Sequence, residues 1–291
     1  MPLDAAHKTG LGSSAALVTS LTACLLSTYS PSPVDLTSAS ARQTVHNLSQ
    51  AAHCAAQGKV GSGFDVAAAV FGSCVYRRFS PSILDKLGDA GTEGFLSRLK
   101  AVVDDPWDQV VKKTNVPSGV RLVMGDVDCG SSTPGMVKSV LKWRGEEQAA
   151  ADALWDALES LNTGLIRLLD LGNANDGAWA LNVCGQIRGI RKLIRGMGMA
   201  AGVAIEPEEQ TTLLDAASTH LEGVLGGVVP GAGGYDAVVF LVKDDPAAID
   251  ALKAFLQKWD GGKVRMLETR EEQEGVKPEA LEQYEGMDIW A

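Results

Sequence analysis

Apolar positions recur three and four residues apart along most of this chain, with a few alternating or continuous apolar runs between them. Leu17, Val18, Leu21, Cys24, Leu25 and Thr28 share helical spacing and predict a buried helix. Ser30-Pro31-Ser32-Pro33 breaks the chain, and residues 37–57 then read as a long helix with Val45, Leu48, Ala52 and Ala55 on one stripe. Val66 to Val70 is apolar enough to be a short buried helix, and Gly72 to Phe79 alternates like a strand. Residues 80–118 are polar and irregular, with Pro81, Pro106 and Pro117 and room for short helices. A domain boundary is expected near Pro117-Ser118-Gly119, giving domains 1–118 and 119–291.

Beyond that boundary the periods change more cleanly. Val120 to Gly125 predicts a buried strand and Met136 to Arg144 a helix. Residues 146–171 and 175–200 predict two long helices, and Pro207 opens another that runs to about Glu222. Ala237 to Val242 reads as a strand, followed by a helix over 246–258 and a strand over 263–268. The segment from Glu271 is acidic and expected to be partly exposed, with Trp290 anchoring its end. Strands scattered among helices in this way imply an α+β protein.

Composition narrows the partners. The 291 residues carry 36 acidic and 26 basic side chains, a net charge of −10, and 45% are hydrophobic. The core is ample, and no broad basic face exists for a nucleic-acid backbone, although a local basic pocket fits. Cys24, Cys54, Cys74, Cys129 and Cys184 are dispersed, which suits a reducing compartment better than a disulfide framework. The cysteines and His7, His46, His53 and His220 show no zinc spacing. No apolar run reaches a membrane span and no charged-then-apolar leader opens the chain, so a cytoplasmic protein without a membrane partner is expected. Nothing in the sequence speaks to oligomeric state.

Five stretches carry candidate chemistry. Gly10-Leu11-Gly12 runs into Ser13-Ser14 and the first helix. Serines there suit an N-cap, and the free N–H groups and helix dipole suit a phosphate, with Lys8 as a nearby mobile charge. A capped core helix after a glycine turn explains the same residues. Gly58 to Asp65 places a carboxylate where a helix starts, either as a cap or as a general base. Asp126 to Pro134 ends in Ser131, Ser132 and Thr133 before a helix, a second anion site or plain capping. Arg188, Arg191 and Arg195 share one helix face, either paired with acids or facing an anionic substrate. Gly226 to Asp236 precedes a strand, unlike the dinucleotide fingerprint, and suits close backbone approach or a plain glycine-rich hairpin. His46 and His53, one heptad apart, read as packed or partly exposed helix residues.

Taken in order, Gly-Leu-Gly-Ser-Ser-Ala-Ala, Gly-Ser-Gly-Phe-Asp and Gly-Ala-Gly-Gly-Tyr-Asp resemble the galactokinase, homoserine kinase, mevalonate kinase and phosphomevalonate kinase (GHMP) superfamily. The flanks of the first two motifs and the stretch Gly125 to Arg144 resemble the fungal-type phosphomevalonate kinases. The resemblance implies transfer of the ATP γ-phosphoryl group to 5-phosphomevalonate, giving 5-diphosphomevalonate in isoprenoid and sterol synthesis. It implies a first domain of the ribosomal-S5-domain-2-like type and a ferredoxin-like second domain. Lys8, Gly10, Leu11, Gly12, Ser13, Ser14 and Ala15 would wrap the ATP phosphates, with Ser14 helping to hold Mg²⁺. Asp65 matches the catalytic aspartate. Lys59, Ser62, Gly63, Ser131, Ser132, Thr133, Arg188 and Arg191 would meet the substrate, and Gly231, Ala232, Gly233 and Gly234 would support the site.

Two departures accompany the resemblance. Ala6 stands where the family has a proline, and the family's N-terminal lysine-bearing motif is expected upstream of residue 1. The family's acidic Mg²⁺ ligand upstream of Asp65 has no match; Gln57 and Lys59 stand in that neighbourhood. The expectation is therefore a shortened kinase, the alternative being a non-catalytic protein of the same fold that binds a metabolite or partner.

Overall fold

The computed structural model describes residues 12–127, 133–259, 263–267 and 269–280. Contacts divide the chain into two compact units. Among the described residues, one comprises 12–113 together with 272–280, and the other falls within 114–271.

The first unit is mostly helical. It contains α1 (Ser13–Tyr29), α2 (Ala39–Gln57), α3 (Phe64–Phe71), β1 (Cys74–Arg77), α4 (Ser82–Asp85), α5 (Phe95–Asp104) and β2 (Val110–Lys113). The strands β1 and β2 pair antiparallel, Cys74 opposite Lys113. The helix α2 lies between two apolar clusters. Val45 packs with Ala15, Ala23, Val66 and Val70 on one side, while Ala51 and Cys54 pack with Phe79, Val102 and Trp107 on the other. The segment from Glu272 joins this unit by backbone bonds: Ser73 N–H to the Glu272 carbonyl at 2.8 Å and Val276 N–H to the Val70 carbonyl at 3.2 Å.

The first helix corrects an expectation. Its large apolar residues are not its buried face. Leu17, Leu21, Leu25 and Tyr29 are 67, 54, 48 and 78% exposed, and the face packed against the core is Ala15, Thr19, Thr22 and Ala23. Small side chains let α1 approach α2 and α3 closely, so spacing alone pointed to the wrong stripe.

The second unit holds β3 (Val120–Val127), α6 (Thr133–Glu146), α7 (Gln148–Asp170), α8 (Gly177–Ala201), α9 (Glu208–His220), β4 (Val224–Val228), β5 (Ala237–Lys243), α10 (Pro246–Lys258) and β6 (Val264–Leu267). The four strands form one antiparallel sheet in the order β4-β5-β3-β6. Leaving aside α6, α7 and α8, the path β3-α9-β4-β5-α10-β6 is β-α-β-β-α-β, the ferredoxin-like arrangement. Alternation along β5 serves both faces. Val238, Phe240 and Val242 meet Leu213 and Leu214 of α9 and Leu252 and Leu256 of α10, while Leu241 meets Trp179, Val183 and Ile187 of α8. Mixed helix and sheet of this kind is the α+β class.

One strand escaped the sequence pattern. Val224–Val228 forms β4 although Gly226 and Gly227 read as the start of a loop. The glycines are steric necessities: a Cβ on Gly227 would lie 2.7 Å from the Val239 carbonyl, and one on Gly226 3.0 Å from Ile187. The pairing register shifts between Val224 and Gly226, so Leu225 is the one extra residue of a bulge in β4.

Candidate functional site

In the first unit, two helices begin at left-handed glycines that lie side by side. Gly12 caps α1 with φ 69° and Gly63 caps α3 with φ 73°, and neither helix start has a side-chain cap. Ser13 and Ser14 are therefore not caps, as their position suggested; they stand inside the first turn of α1. Among the described residues the first-turn N–H groups of α1 have no side-chain cap, which is the condition for taking an external anion. A Cβ on Gly12 would sit 3.3 Å from the Asp65 Cβ, so the start of α1 lies directly against the start of α3.

Asp65 is half-buried in the first turn of α3, where its Oδ1 accepts the Val66 N–H at 2.9 Å. Val66, Ala67 and Val70 behind it are fully buried, as their apolarity required. Ser62 and Lys59 are exposed, and Gly63 is buried. The loop between α2 and α3 is held from two directions: the Arg78 guanidinium donates to the Gly61 carbonyl at 3.1 Å, and the Gln50 amide donates to the Gly63 carbonyl at 2.7 Å. Lys8, Gly10 and Leu11 lie outside the described residues, as do Ser131 and Ser132; Thr133 opens α6.

The polar residues of α2 were the unforeseen part of the site. His46, Asn47, Ser49, Gln50 and His53 are all buried. His53 Nε2 lies 3.2 Å from Ser14 Oγ and 3.0 Å from Gln57 Nε2. His46 meets Gln50 Nε2 through its Nε2 at 3.3 Å and Asn47 Oδ1 through its Nδ1 at 3.1 Å. Packed among Phe71, Tyr76 and Trp107, the His46 imidazole is pushed down to about 4 by burial. The signal available in the sequence was the spacing: 46, 50, 53 and 57 fall on one helix face.

The second unit holds the other candidates. Gly233 has φ 87°, and a Cβ there would lie 2.4 Å from the Ile205 carbonyl. Gly234 N–H donates to that same carbonyl at 2.9 Å, and Gln210 donates to the Tyr235 carbonyl at 2.7 Å. The residue after Ile205 anchors a buried ion network. Glu206 accepts from Arg191 Nη2 and Arg195 Nη1, each at 2.7 Å, and Arg191 Nη1 reaches Asp215 at 2.6 Å. Arg191 is 4% exposed and its Nε, Nη1 and Nη2 all donate to protein oxygens. The expected substrate cation is thus committed to holding the Ile205-Glu206 segment under the Gly231–Gly234 loop. Arg188, one turn away, is exposed. With Lys192, Ser218 and Thr219 it lines an open cleft of about 430 Å³ between α8, α9 and the edge strand β4.

Comparison with known proteins follows this geometry. Residues 4–73 match the model of the GHMP kinases N terminal domain and residues 178–261 that of the GHMP kinases C terminal domain. A phosphomevalonate kinase of Aspergillus fumigatus is 52% identical over 98% of this chain and 62% of its own length. One from Candida albicans is 36% identical over 97% of this chain and 67% of its own length. This chain thus spans less than two thirds of the Aspergillus protein. A crystal structure titled Streptococcus pneumoniae phosphomevalonate kinase in complex with phosphomevalonate and AMPPNP shares the fold, with TM-score 0.68 and 20% identity over 90% of this chain and 69% of that one.

Proposed function

Because the chain belongs to the phosphomevalonate kinases of the GHMP family, we propose that it transfers the γ-phosphoryl group of ATP to 5-phosphomevalonate, giving ADP and 5-diphosphomevalonate. The observation that carries this reading is the meeting of two helix starts, Gly12–Ser14 and Gly63–Asp65, where a Cβ on the left-handed Gly12 would stand 3.3 Å from that of Asp65, a tight fit. N–H groups of the α1 start bind the ATP phosphates. The carboxylate of Asp65 stands where the incoming group would pass.

In this reaction an acceptor phosphate oxygen forms a bond to the γ-phosphorus while the bond to the ADP oxygen breaks. The acceptor is already ionised near neutral pH, so Asp65 has little need to take a proton. Its work is to hold the acceptor and its cationic partners in line, which is most of what phosphoryl transfer asks of a protein. Ser14 and Asp65 supply the hard oxygen atoms that Mg²⁺ accepts, and such an ion draws its remaining ligands from phosphate and water. When bound, Mg²⁺ supplies charge neutralisation on the β- and γ-phosphates. In the first unit Lys59, exposed in the loop before Asp65, is a cation offered to an anionic acceptor; in the second, Arg188 and Lys192 are exposed, hold no fixed partner among the described residues, and offer their charge to an anion in the cleft they line.

Cytoplasmic residence is part of the proposal and rests on the free thiols of Cys24, Cys54, Cys74 and Cys184. No helix of the described residues is long and apolar enough to cross a membrane.

The test is a coupled ADP-release assay on this chain with phosphomevalonate, mevalonate and homoserine as acceptors. Turnover with the first alone is the expected result. Saturable binding of a metabolite with no ADP release would replace this reading with the non-catalytic one.

A further inference from the structure

We propose that His53 positions the Ser14 hydroxyl, drawing its proton inward so that both oxygen lone pairs face the loop. The inference rests on the kinase reading and names a residue that reading did not require.

The argument starts from Gln57. Its side-chain nitrogen carries only hydrogens to offer, and it lies 3.0 Å from His53 Nε2. Nε2 must therefore accept, which puts the imidazole proton on Nδ1. The same Nε2 is the atom facing Ser14 Oγ at 3.2 Å. With no hydrogen of its own, it can only accept from the serine hydroxyl, whose O–H shares the single Nε2 lone pair with the Gln57 amide. The ring is held rigidly for this task, since His53 is only 6% exposed and is fixed on the 19-residue helix α2.

The consequence concerns the outer side of Ser14, which is exposed. A free serine hydroxyl rotates and offers its hydrogen in any direction. Here the hydrogen is spent on His53, so what points away from α2 is oxygen alone. That is the electronic face a divalent cation requires, and a hydrogen pointing outward would repel it. The side chain of α2 that meets Ser14 is thus an acceptor that orders the hydroxyl. His53 acts through Ser14 and is a positioning residue.

Two measurements test this. In long-range proton–nitrogen NMR of the unliganded chain, His53 should show a proton on Nδ1 and none on Nε2; a proton on Nε2 overturns the proposal without any reference to nucleotide. In calorimetric titrations, His53→Leu should weaken binding of AMPPNP in Mg²⁺ by about tenfold, the size of one lost orienting hydrogen bond. Its binding of AMPPNP in EDTA should stay at the wild-type level. His53→Gln, which keeps an acceptor, should recover most of the loss. Equal losses with and without Mg²⁺, or none in either, would sink the role of His53 alone. Wild-type protein that binds no nucleotide at all would remove the kinase reading itself and this role with it.

Discussion

The side-chain amide of Gln50 donates to the carbonyl of Gly63, thirteen residues further along the chain, at 2.7 Å. This single bond ties the middle of α2 to the start of α3, and it explains why position 63 is glycine. A Cβ there would lie 2.8 Å from the Gln50 nitrogen, on a backbone whose φ is already +73°. Gly63→Ala should therefore destabilise the protein by about 2 kcal/mol or more, combining the left-handed penalty with the clash. Gln50→Ala should cost about 1 kcal/mol or somewhat more, since it removes one of the two hydrogen bonds to the Gly63 carbonyl, which still accepts the Ala67 N–H at 3.0 Å, and takes away the donor facing His46 Nε2. The two effects should not add. Removing the amide relieves the clash, so urea denaturation of the double variant should give a loss clearly smaller than the sum of the singles. Strict additivity would mean that the two groups do not touch.

His46 adds an acid-sensitive step to the same line of contacts. Its Nε2 accepts from Gln50 while its Nδ1 donates to Asn47, an arrangement available only to the neutral ring. Burial lowers its folded-state value from 6.5 to about 4. The unfolded chain thus takes up a proton between these values and the folded chain does not. Stability is fully present above about pH 6.5 and declines as pH falls towards 4, with no further change from this group below that. The total loss should be roughly 3 kcal/mol. Urea midpoints taken from pH 7.5 to 4 should fall over that window, and His46→Gln should flatten this part of the curve. An unchanged slope in the variant would assign the acid sensitivity elsewhere.

If Asp65 aligns the reacting groups, Asp65→Asn should lower turnover at least about a hundredfold, the usual span for losing a positioned carboxylate. The helix would keep its first-turn contact, because the amide oxygen can still accept the Val66 N–H. Thermal unfolding should therefore be nearly unchanged. Turnover within a few-fold of wild type would take Asp65 out of the mechanism.

How far the fold could be read in advance varied with the physics. The helices α8 and α10 and the strand β5 bury large side chains at regular spacing, and their periods announce them. The strand β4 was hidden because Gly226 and Gly227 carry no side chain to set a period; their reason lies in Ile187 and Val239, which are distant in sequence. For α1 the pattern was visible and its meaning inverted, since Ala15, Thr19, Thr22 and Ala23 make the close contacts. The loops of the site announced themselves through Gly12, Gly63 and Asp65. What holds them, Gln50, His53 and Arg78, could not be weighed without knowing which helix face meets which loop.

The inverted face of α1 gives a test of its own. Thr19 is 2% exposed and its hydroxyl has no hydrogen-bond partner among the described residues. Thr19→Val keeps the shape and removes the unpaired group, so it should be neutral or stabilising by up to about 1 kcal/mol. Thr19→Leu forces extra carbons into the α1–α2 contact and should cost about 1–3 kcal/mol. Leu21→Gln, on the exposed stripe, should change stability by less than about 0.5 kcal/mol. A large loss from Leu21→Gln together with tolerance of Thr19→Leu would reverse the assignment of the two faces.

Arg188 and Arg191 share a helix face and divide its labour, so substitutions at the two should separate stability from binding. Arg191→Ala leaves Glu206 buried without its main partner, and removing one member of such a pair costs about 3–5 kcal/mol. Much of that loss should be felt at Gly233 and Gly234, whose contacts are with Ile205, the residue before Glu206. Arg188 is exposed and holds no fixed partner among the described residues, so Arg188→Ala should leave the melting temperature within a degree or two. Under the proposed function it should raise the KM for phosphomevalonate about tenfold while leaving that for ATP unchanged, as expected for one charge-assisted contact to an anion. Melting curves and two KM values per variant suffice to decide. If Arg188→Ala leaves both constants alone, the acceptor's cations lie elsewhere, and if Arg191→Ala melts like wild type, the ion network contributes nothing to holding the glycine loop.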